Sequence, residues 1–305
     1  MAVRARKYDV VVVCTLICSL MAGCAQPTGD LAVPDSLHVT VSILPQIEIV
    51  SRVSGDAATV SSILRPGDSP TSFDLTPRKL AQVTTSDVVF TIGVPADRLM
   101  ESKLAEIAPD LRVVNMASGV EKRRLETGSG VEDAHHHHHG TLDPHVWLDP
   151  IRVVTMAEKT RDTLCGVAPD RCLDFTANLL EYETDLRAAD ERIAAILKPF
   201  EGRAVCVFHP AYGYFLERYG LRQVSVEVEG KEPTPRRLSD LIRRLQAGGT
   251  RAIFVQPQFS DRSARTIAET LGARVIPLDP LASDHLVNLE RMAQHIAASL
   301  TDPPD

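Results

Sequence analysis

From Leu37 onward, short runs rich in β-branched residues alternate with segments whose apolar residues recur every three or four positions. The short runs are typical of strands, and the longer spacing is typical of helices. The first half of the chain has four predicted strands: His38–Leu44, Thr59–Leu64, Asp87–Ile92 and Arg112–Met116. The second half has four more: Arg203–Phe208, Gln223–Val228, Arg251–Val255 and Arg274–Leu278.

Helices are predicted between these strands, with proline or glycine near many of their boundaries. They are Gln46–Ser54, Pro77–Thr85, Ala96–Ala108, Ala211–Tyr219, Pro235–Ala247, Asp261–Leu271 and His285–Leu300. Alternation of strands and helices favours parallel sheets covered on both faces. We therefore predict an α/β fold of two lobes, each a mostly parallel sheet covered by helices.

The segment Arg171–Lys198 contains no glycine or proline, and its apolar residues form one helical stripe. As a helix it would be roughly 40 Å long, which is about the span of two lobes. It is either a bundle helix within one lobe or one long α-helix that bridges both lobes, and the α/β pattern on each side favours the bridge. The predicted domains are then an N-terminal lobe (37–170), the linking helix (171–198) and a C-terminal lobe (199–305).

The first 23 residues have the composition of a signal peptide. Arg4, Arg6 and Lys7 precede an apolar stretch that is short for a transmembrane span. The stretch ends in Leu-Met-Ala-Gly-Cys, which resembles a bacterial lipoprotein cleavage box with Cys24 as the lipidated residue, although Met21 is a departure from that pattern. Ordinary signal cleavage and an uncleaved anchor are the alternatives. Residues 24–36 are predicted to be a lipidated tether, which places an exported protein at the cell membrane, on its periplasmic or extracytoplasmic side.

The net charge of the exported part of the chain argues against two kinds of binding partner. Loss of residues 1–23 changes the formal net charge from −7 to about −9, which argues against nucleic acid and against a polybasic membrane patch.

Cys165 and Cys172 bracket a short loop that could close as a disulfide after export, or both could remain free thiols. Cys206 lies in an apolar run and is interpreted as a buried small residue.

A histidine-rich stretch carries the strongest sign of chemistry. It holds five consecutive histidines, followed by His145 and, two residues later, the only tryptophan, Trp147. The run consists of His135, His136, His137, His138 and His139. Neutral imidazole is a preferred ligand for zinc, so we predict a loose, multivalent site in the run and a fixed site at His145. The alternative for the run is a solvated low-complexity loop.

Two further ligand candidates directly follow predicted strands of the second half, where ligands bind in open α/β sheets. His209 follows the strand that ends at Phe208, and Asp279 follows the strand that ends at Leu278. Taken singly, His209 could cap a helix, Asp279 could belong to a turn, and His145 could be a hydrogen-bonded structural residue. Together, two imidazoles and one carboxylate would make a suitable set of ligands for a divalent transition metal in an interlobe cleft.

The chain resembles the zinc- and manganese-binding solute-binding proteins of ABC transporters over nearly all of 37–300. Six segments in order carry the resemblance: RPGDSPTSFDLTP (65–77), TIG (91–93), DPHVWLDP (143–150), VFHPAYGYF (207–215), EPTPRRL (232–238) and LDPL (278–281). It implies two α/β lobes bridged by one long helix and metal ligands at His145, His209 and Asp279. The histidine-rich segment 121–141 is similar to the charged insertion of the family's zinc importers.

One position departs from the family pattern, because Thr71 stands where the family usually has histidine. We therefore expect three protein ligands at the fixed site, with a fourth place open to water, to Asp68 or to a histidine of the 135–139 run. Histidine at position 209 favours zinc, although manganese is possible.

The leading hypothesis is a monomeric binding protein, not an enzyme, that captures extracytoplasmic zinc and delivers it to an ABC permease. A zinc hydrolase is a second hypothesis, with Glu227, Glu229 or Glu232 as the general base. We expect these three carboxylates to be solvated surface charges instead. A surface adhesin is the third hypothesis.

Overall fold

Each half of the chain folds around a four-stranded parallel sheet in the computed structural model, which describes residues 36–70, 74–125, 142–227, 234–259 and 261–301. The first sheet has the order β2-β1-β3-β4. Its strands are β1 (Leu37–Val41), β2 (Ala58–Ser62), β3 (Val88–Thr91) and β4 (Arg112–Asn115), and its helices are α1 (Pro45–Ser54), α2 (Pro77–Val83) and α3 (Pro95–Ile107).

The second sheet repeats this arrangement with the order β6-β5-β7-β8. Its strands are β5 (Ala204–Val207), β6 (Arg222–Ser225), β7 (Ala252–Val255) and β8 (Arg274–Pro277), and its helices are α6 (Gly213–Arg218), α7 (Pro235–Ala247), α8 (Arg262–Leu271) and α9 (His285–Thr301). In both sheets the strand order reverses beside the first strand, which opens a crevice at the carboxyl ends of the strands.

Along the chain, two helices separate the strands of the first sheet from those of the second: α4 (Pro150–Val167) and α5 (Cys172–Leu197). The predicted long helix is confirmed as α5, and every residue of its apolar stripe is buried. Burial of each large apolar side chain of the stripe contributes about 1.5–3 kcal/mol to stability. The fold class predicted from the sequence, two parallel α/β units and a long linking helix, is confirmed. The residue boundaries proposed for the lobes stay predictions.

Helix α4 was not predicted, although its start carries a clear local signal. Asp149 precedes Pro150, and the Asp149 carboxylate accepts a hydrogen bond from the Ile151 amide at 2.9 Å. An acidic N-cap followed by proline at the first helical position is a common helix start. A disulfide between Cys165 and Cys172 joins the end of α4 to the start of α5. Of the two alternatives for these cysteines, the structure therefore has the disulfide.

The last helix connects the second half of the chain back to the first. Helix α9 packs against α5, and the Glu48 carboxylate of α1 accepts a hydrogen bond from the Leu286 amide at 3.1 Å. A carboxylate at a helix N-terminus satisfies a free amide and interacts favourably with the helix dipole. Contacts of this kind join the parts of Ser36–Asp305 into one unit. Over the residues that the structure describes, none of the helices combines the length and apolar character that a membrane crossing requires.

Candidate metal site

His145 is held by a buried carboxylate immediately before it. The Asp143 side chain is 1% exposed, and its Oδ1 accepts hydrogen bonds from the His145 backbone amide at 3.0 Å and from Nδ1 at 2.7 Å. Because a carboxylate only accepts, Nδ1 carries the hydrogen and the neutral ring keeps its lone pair on Nε2. Burial lowers the pKa of His145 below its usual value, while the bond to Asp143 acts in the opposite direction. The neutral, metal-binding form of the ring is therefore favoured at neutral pH.

His209 has the same kind of partner on a neighbouring strand. It follows β5 and the residue Phe208, and its Nδ1 lies 2.6 Å from Oε2 of Glu227, which follows β6. The Glu227 amide donates to the Phe208 carbonyl at 2.9 Å, so the parallel pairing of β5 with β6 sets this contact. Both side chains are 11% exposed. As with His145, the carboxylate accepts the Nδ1 hydrogen, which leaves Nε2 as the ring nitrogen directed to an ion.

The structure brings these two histidines together. The centroids of the His145 and His209 rings lie 5.5 Å apart, with their planes at 77°. Phe259, which follows β7, stacks on His209 at 5.6 Å between centroids, and Trp147 lies 5.2 Å from His145. Two oriented imidazoles with aromatic neighbours thus meet at the point where the strand order of the second sheet reverses.

Asp279 lies beyond the carboxyl end of β8, where the sequence places it, and one of its carboxylate oxygens is held by neighbouring groups. Its Oδ1 accepts hydrogen bonds from the Gln258 amide group at 2.7 Å and from the Leu281 backbone amide at 2.9 Å. Across 36–70, 74–125, 142–227, 234–259 and 261–301, no group of three or more His, Cys, Asp or Glu side chains is placed to hold a metal ion. The structure therefore assembles the two imidazoles, and the role of Asp279 stays a prediction.

The remaining predicted contributors fall into two groups. Asp68 is engaged locally, because its Oδ2 accepts from the Arg65 amide at 3.1 Å and lies 3.6 Å from Nζ of Lys79. The others lie outside the described residues, so their predicted roles stay predictions: Thr71, His135, His136, His137, His138 and His139. Cys24, the predicted lipidation site, also lies outside the described residues.

Two functional side chains were missed or misjudged from the sequence. Glu227 was expected to be a solvated surface charge, and this is wrong, since the residue is 8% exposed and bonded to His209. The cause is the pairing of β6 with β5, which a single sequence does not reveal. Asp143 lies in the Asp-Pro-His motif but was not assigned a role. A carboxylate two residues before a predicted histidine ligand is the signal that could have found it.

Comparison with known proteins places the chain in a family. The family described as "Zinc-uptake complex component A periplasmic" (ZnuA) matches residues 39–302. The chain is 27% identical to the high-affinity zinc uptake system protein ZnuA of Yersinia pestis over 267 residues, which is 81% of this chain and 84% of that protein. It is 25% identical to the zinc-binding protein AdcA of Streptococcus pyogenes serotype M3 over 295 residues. That alignment covers 90% of this chain, but only 56% of the streptococcal protein.

A solved structure gives the same result. A crystal structure of a ZnuA deletion mutant with zinc bound superposes with a TM-score of 0.80 at 31% identity, covering 88% of this chain and 100% of that one. The chain therefore has the two-lobed α/β fold of that zinc-bound protein. The chain belongs to the ZnuA family, whose description is that of a periplasmic component of zinc-uptake complexes. This membership supports the interpretation of an extracytoplasmic transport component and not an enzyme.

Proposed function

We propose that this protein captures zinc outside the cytoplasm and delivers it to an ABC permease. The observation that carries the proposal is the pair His145 and His209, each with Nδ1 bonded to a buried carboxylate and with ring centroids 5.5 Å apart. With Zn–N bonds of about 2.1 Å and tetrahedral angles, two imidazoles on one ion have ring centres roughly 5 Å apart. The observed separation fits a shared ion.

The chemistry of the pair favours zinc over manganese. Imidazole nitrogen suits zinc, whereas manganese prefers oxygen ligands, and both assembled side chains are histidines. Asp279 is the proposed third ligand, and coordination through its Oδ2 would leave the bonds from Gln258 and Leu281 to Oδ1 in place. Since Asp68 is already engaged with Lys79, water or a histidine of the 135–139 run is the better candidate for the fourth place.

The histidine run is proposed to collect zinc for the fixed site. Arg124 and Leu142 form an antiparallel bridge, and the Asp143 amide donates to the Arg123 carbonyl at 2.9 Å. The residues on either side of 126–141 are therefore held together, next to Asp143 and His145. Several imidazoles near the cleft raise the local zinc concentration without a rigid site of their own.

The remaining elements of the proposal come from the start of the chain. A signal peptide over 1–23 and lipidation at Cys24 would tether the protein to the membrane through residues 24–36, beside its permease. A lipid anchor keeps the protein within reach of the permease without an oligomer, and we propose that it acts as a monomer.

Calorimetric titration of the mature chain with zinc and with manganese tests the proposal. We expect tight zinc binding at one fixed site, weaker binding at the run, and a preference for zinc. His209→Ala should abolish the tight class, deletion of 135–139 should abolish only the weak class, and His295→Ala, an exposed histidine of α9, should change neither. Equal zinc affinity in wild type and His209→Ala would contradict the proposal.

A further inference from the structure

Three successive backbone carbonyls around the predicted ligand Asp279 are each held by a side chain from a different element. The Leu278 carbonyl accepts from the Tyr212 hydroxyl at 2.5 Å, the Asp279 carbonyl from the Asn288 side chain at 2.7 Å, and the Pro280 carbonyl from Nε1 of Trp147 at 2.7 Å. A turn held at every carbonyl has little freedom to move relative to its three partners.

Two of these partners are part of the loops that carry the histidines. Trp147 follows His145 by two residues within the same buried turn, and Tyr212 follows His209 by three residues. The Tyr212 amide is fixed in turn by the Gln223 side chain at 2.9 Å. The backbone of the Asp279 turn is therefore bonded directly to the loops of both imidazoles.

Building on the proposed zinc site, we propose that Trp147 and Tyr212 are positioning residues, which set the distance from Asp279 to His145 and His209 so that the three can share one ion. Neither side chain contacts the ion itself. Each donates one buried hydrogen bond to the backbone beside Asp279, and the three ligand loops thereby become one unit.

The burial of both hydrogen-bond donors supports this role. Trp147 is 1% exposed and Tyr212 is fully buried, so an indole N–H or a phenol O–H without an acceptor would be costly at either place. Burial raises the pKa of Tyr212 well above its usual value, with the charge of Asp279 acting in the same direction, so the hydroxyl stays a donor. Both donors use carbonyls that flank the same predicted ligand. Metal affinity depends on such pre-positioning, because loose ligands must be ordered when the ion binds.

Tyr212→Phe and Trp147→Phe in the mature chain test the inference, with zinc affinity measured by chelator competition and Co²⁺ absorption used as a report on ligand geometry. Tyr182→Phe is the matched control, because Tyr182 of α5 is fully buried and its hydroxyl has no hydrogen-bond partner in the described part of the chain. We expect zinc affinity to fall about 10-fold or more in the first two variants, with a changed Co²⁺ spectrum. The control should keep the wild-type affinity and spectrum.

Tyr212→Phe removes a single oxygen and keeps the ring, so it decides the question even if Trp147→Phe does not fold. Wild-type zinc affinity and an unchanged Co²⁺ spectrum in a folded Tyr212→Phe would overturn the inference while leaving the proposed function intact. A wild-type chain that takes up no zinc would overturn the proposed function, and this inference with it.

Discussion

His145 and His209 come from opposite halves of the chain, yet their ring centroids lie 5.5 Å apart. Each ring donates Nδ1–H to a carboxylate of its own half, His145 to Asp143 and His209 to Glu227. The two halves thus contribute equivalent carboxylate–histidine pairs, and in both the nitrogen with the lone pair is Nε2. This equivalence defines where an ion would bind, since a zinc ligand is positioned by the group behind it.

Glu227→Gln tests the contribution of the carboxylate behind His209. An amide can still accept the Nδ1 hydrogen bond, but it does not raise the basicity of the ring as a carboxylate does. We expect zinc affinity to fall about 10- to 100-fold. Chelator competition with zinc measures the change.

Glu183→Gln is the control for that experiment, because it removes a carboxylate of α5 whose partner is the surface residue Arg187. It should leave zinc affinity unchanged. Equal affinities in Glu227→Gln and Glu183→Gln would show that the buried pair has only a structural role.

The sequence predicted the strands and their alternation with helices well, but not where each strand ends. The first strand was predicted to reach Leu44, whereas β1 ends at Val41. The reason is a side chain: Oε1 of Gln46 accepts from the amides of Ser42 and Ile43 at 3.0 Å each, which leads the chain out of the sheet and into α1. Such a capture depends on tertiary packing and has no signature in local apolar periodicity.

The sequence predicts those residues of the candidate site that directly follow a strand. His209 and Asp279 are predicted as ligands because ligands bind beyond the carboxyl ends of parallel strands, and the structure places both residues there. The contact of Glu227 with His209 is not predicted, because it exists only where β6 lies beside β5 in the sheet. Strand order is a long-range property, and the residues that it brings together are not near each other in sequence.

His285 should make stability depend on pH. Nε2 of this buried ring donates to the Trp147 carbonyl at 2.6 Å, and Nδ1 has no hydrogen-bond partner in the described ranges. Burial lowers the pKa of His285 to about 4, although the bond to Trp147 and the charge of Asp284 act in the opposite direction. A base whose pKa is lower in the folded state takes up a proton on unfolding. Its contribution is therefore complete above pH ~6.5 and is lost as pH falls toward 4.

The loss should reach roughly 3 kcal/mol of unfolding free energy at the acid end. Urea unfolding of wild type and His285→Gln at pH 7 and pH 4.5, with chelator present, measures it. Glutamine can donate to the Trp147 carbonyl but does not titrate, so the variant should lose less stability between the two pH values. Parallel losses in both proteins would assign the acid sensitivity to other groups.

The disulfide between Cys165 and Cys172 should stabilise the junction of α4 and α5. It closes a short loop, with a sequence separation of seven residues, and the chain-entropy account gives a contribution of about 2–3 kcal/mol. We expect reductant to lower the Tm of wild type to that of Cys165→Ser/Cys172→Ser, and to have no effect on the double variant. An unchanged Tm of wild type under reductant would contradict this prediction.

Thr71→His tests whether the fixed site lacks a ligand. The resemblance to the family implies histidine at this position, and an imidazole is a far better zinc ligand than a hydroxyl. If the fourth place is held by water, the new histidine should tighten zinc binding by an order of magnitude or more and slow zinc release. Thr71→Ala is the matched control and should bind zinc as wild type does, because it removes only a weak donor.

If the fourth place is instead filled by the run at 135–139, Thr71→His should tighten binding only after the run is deleted. Comparing the substitution with and without the run therefore identifies the fourth ligand, and no gain in either background would show that position 71 does not face the ion.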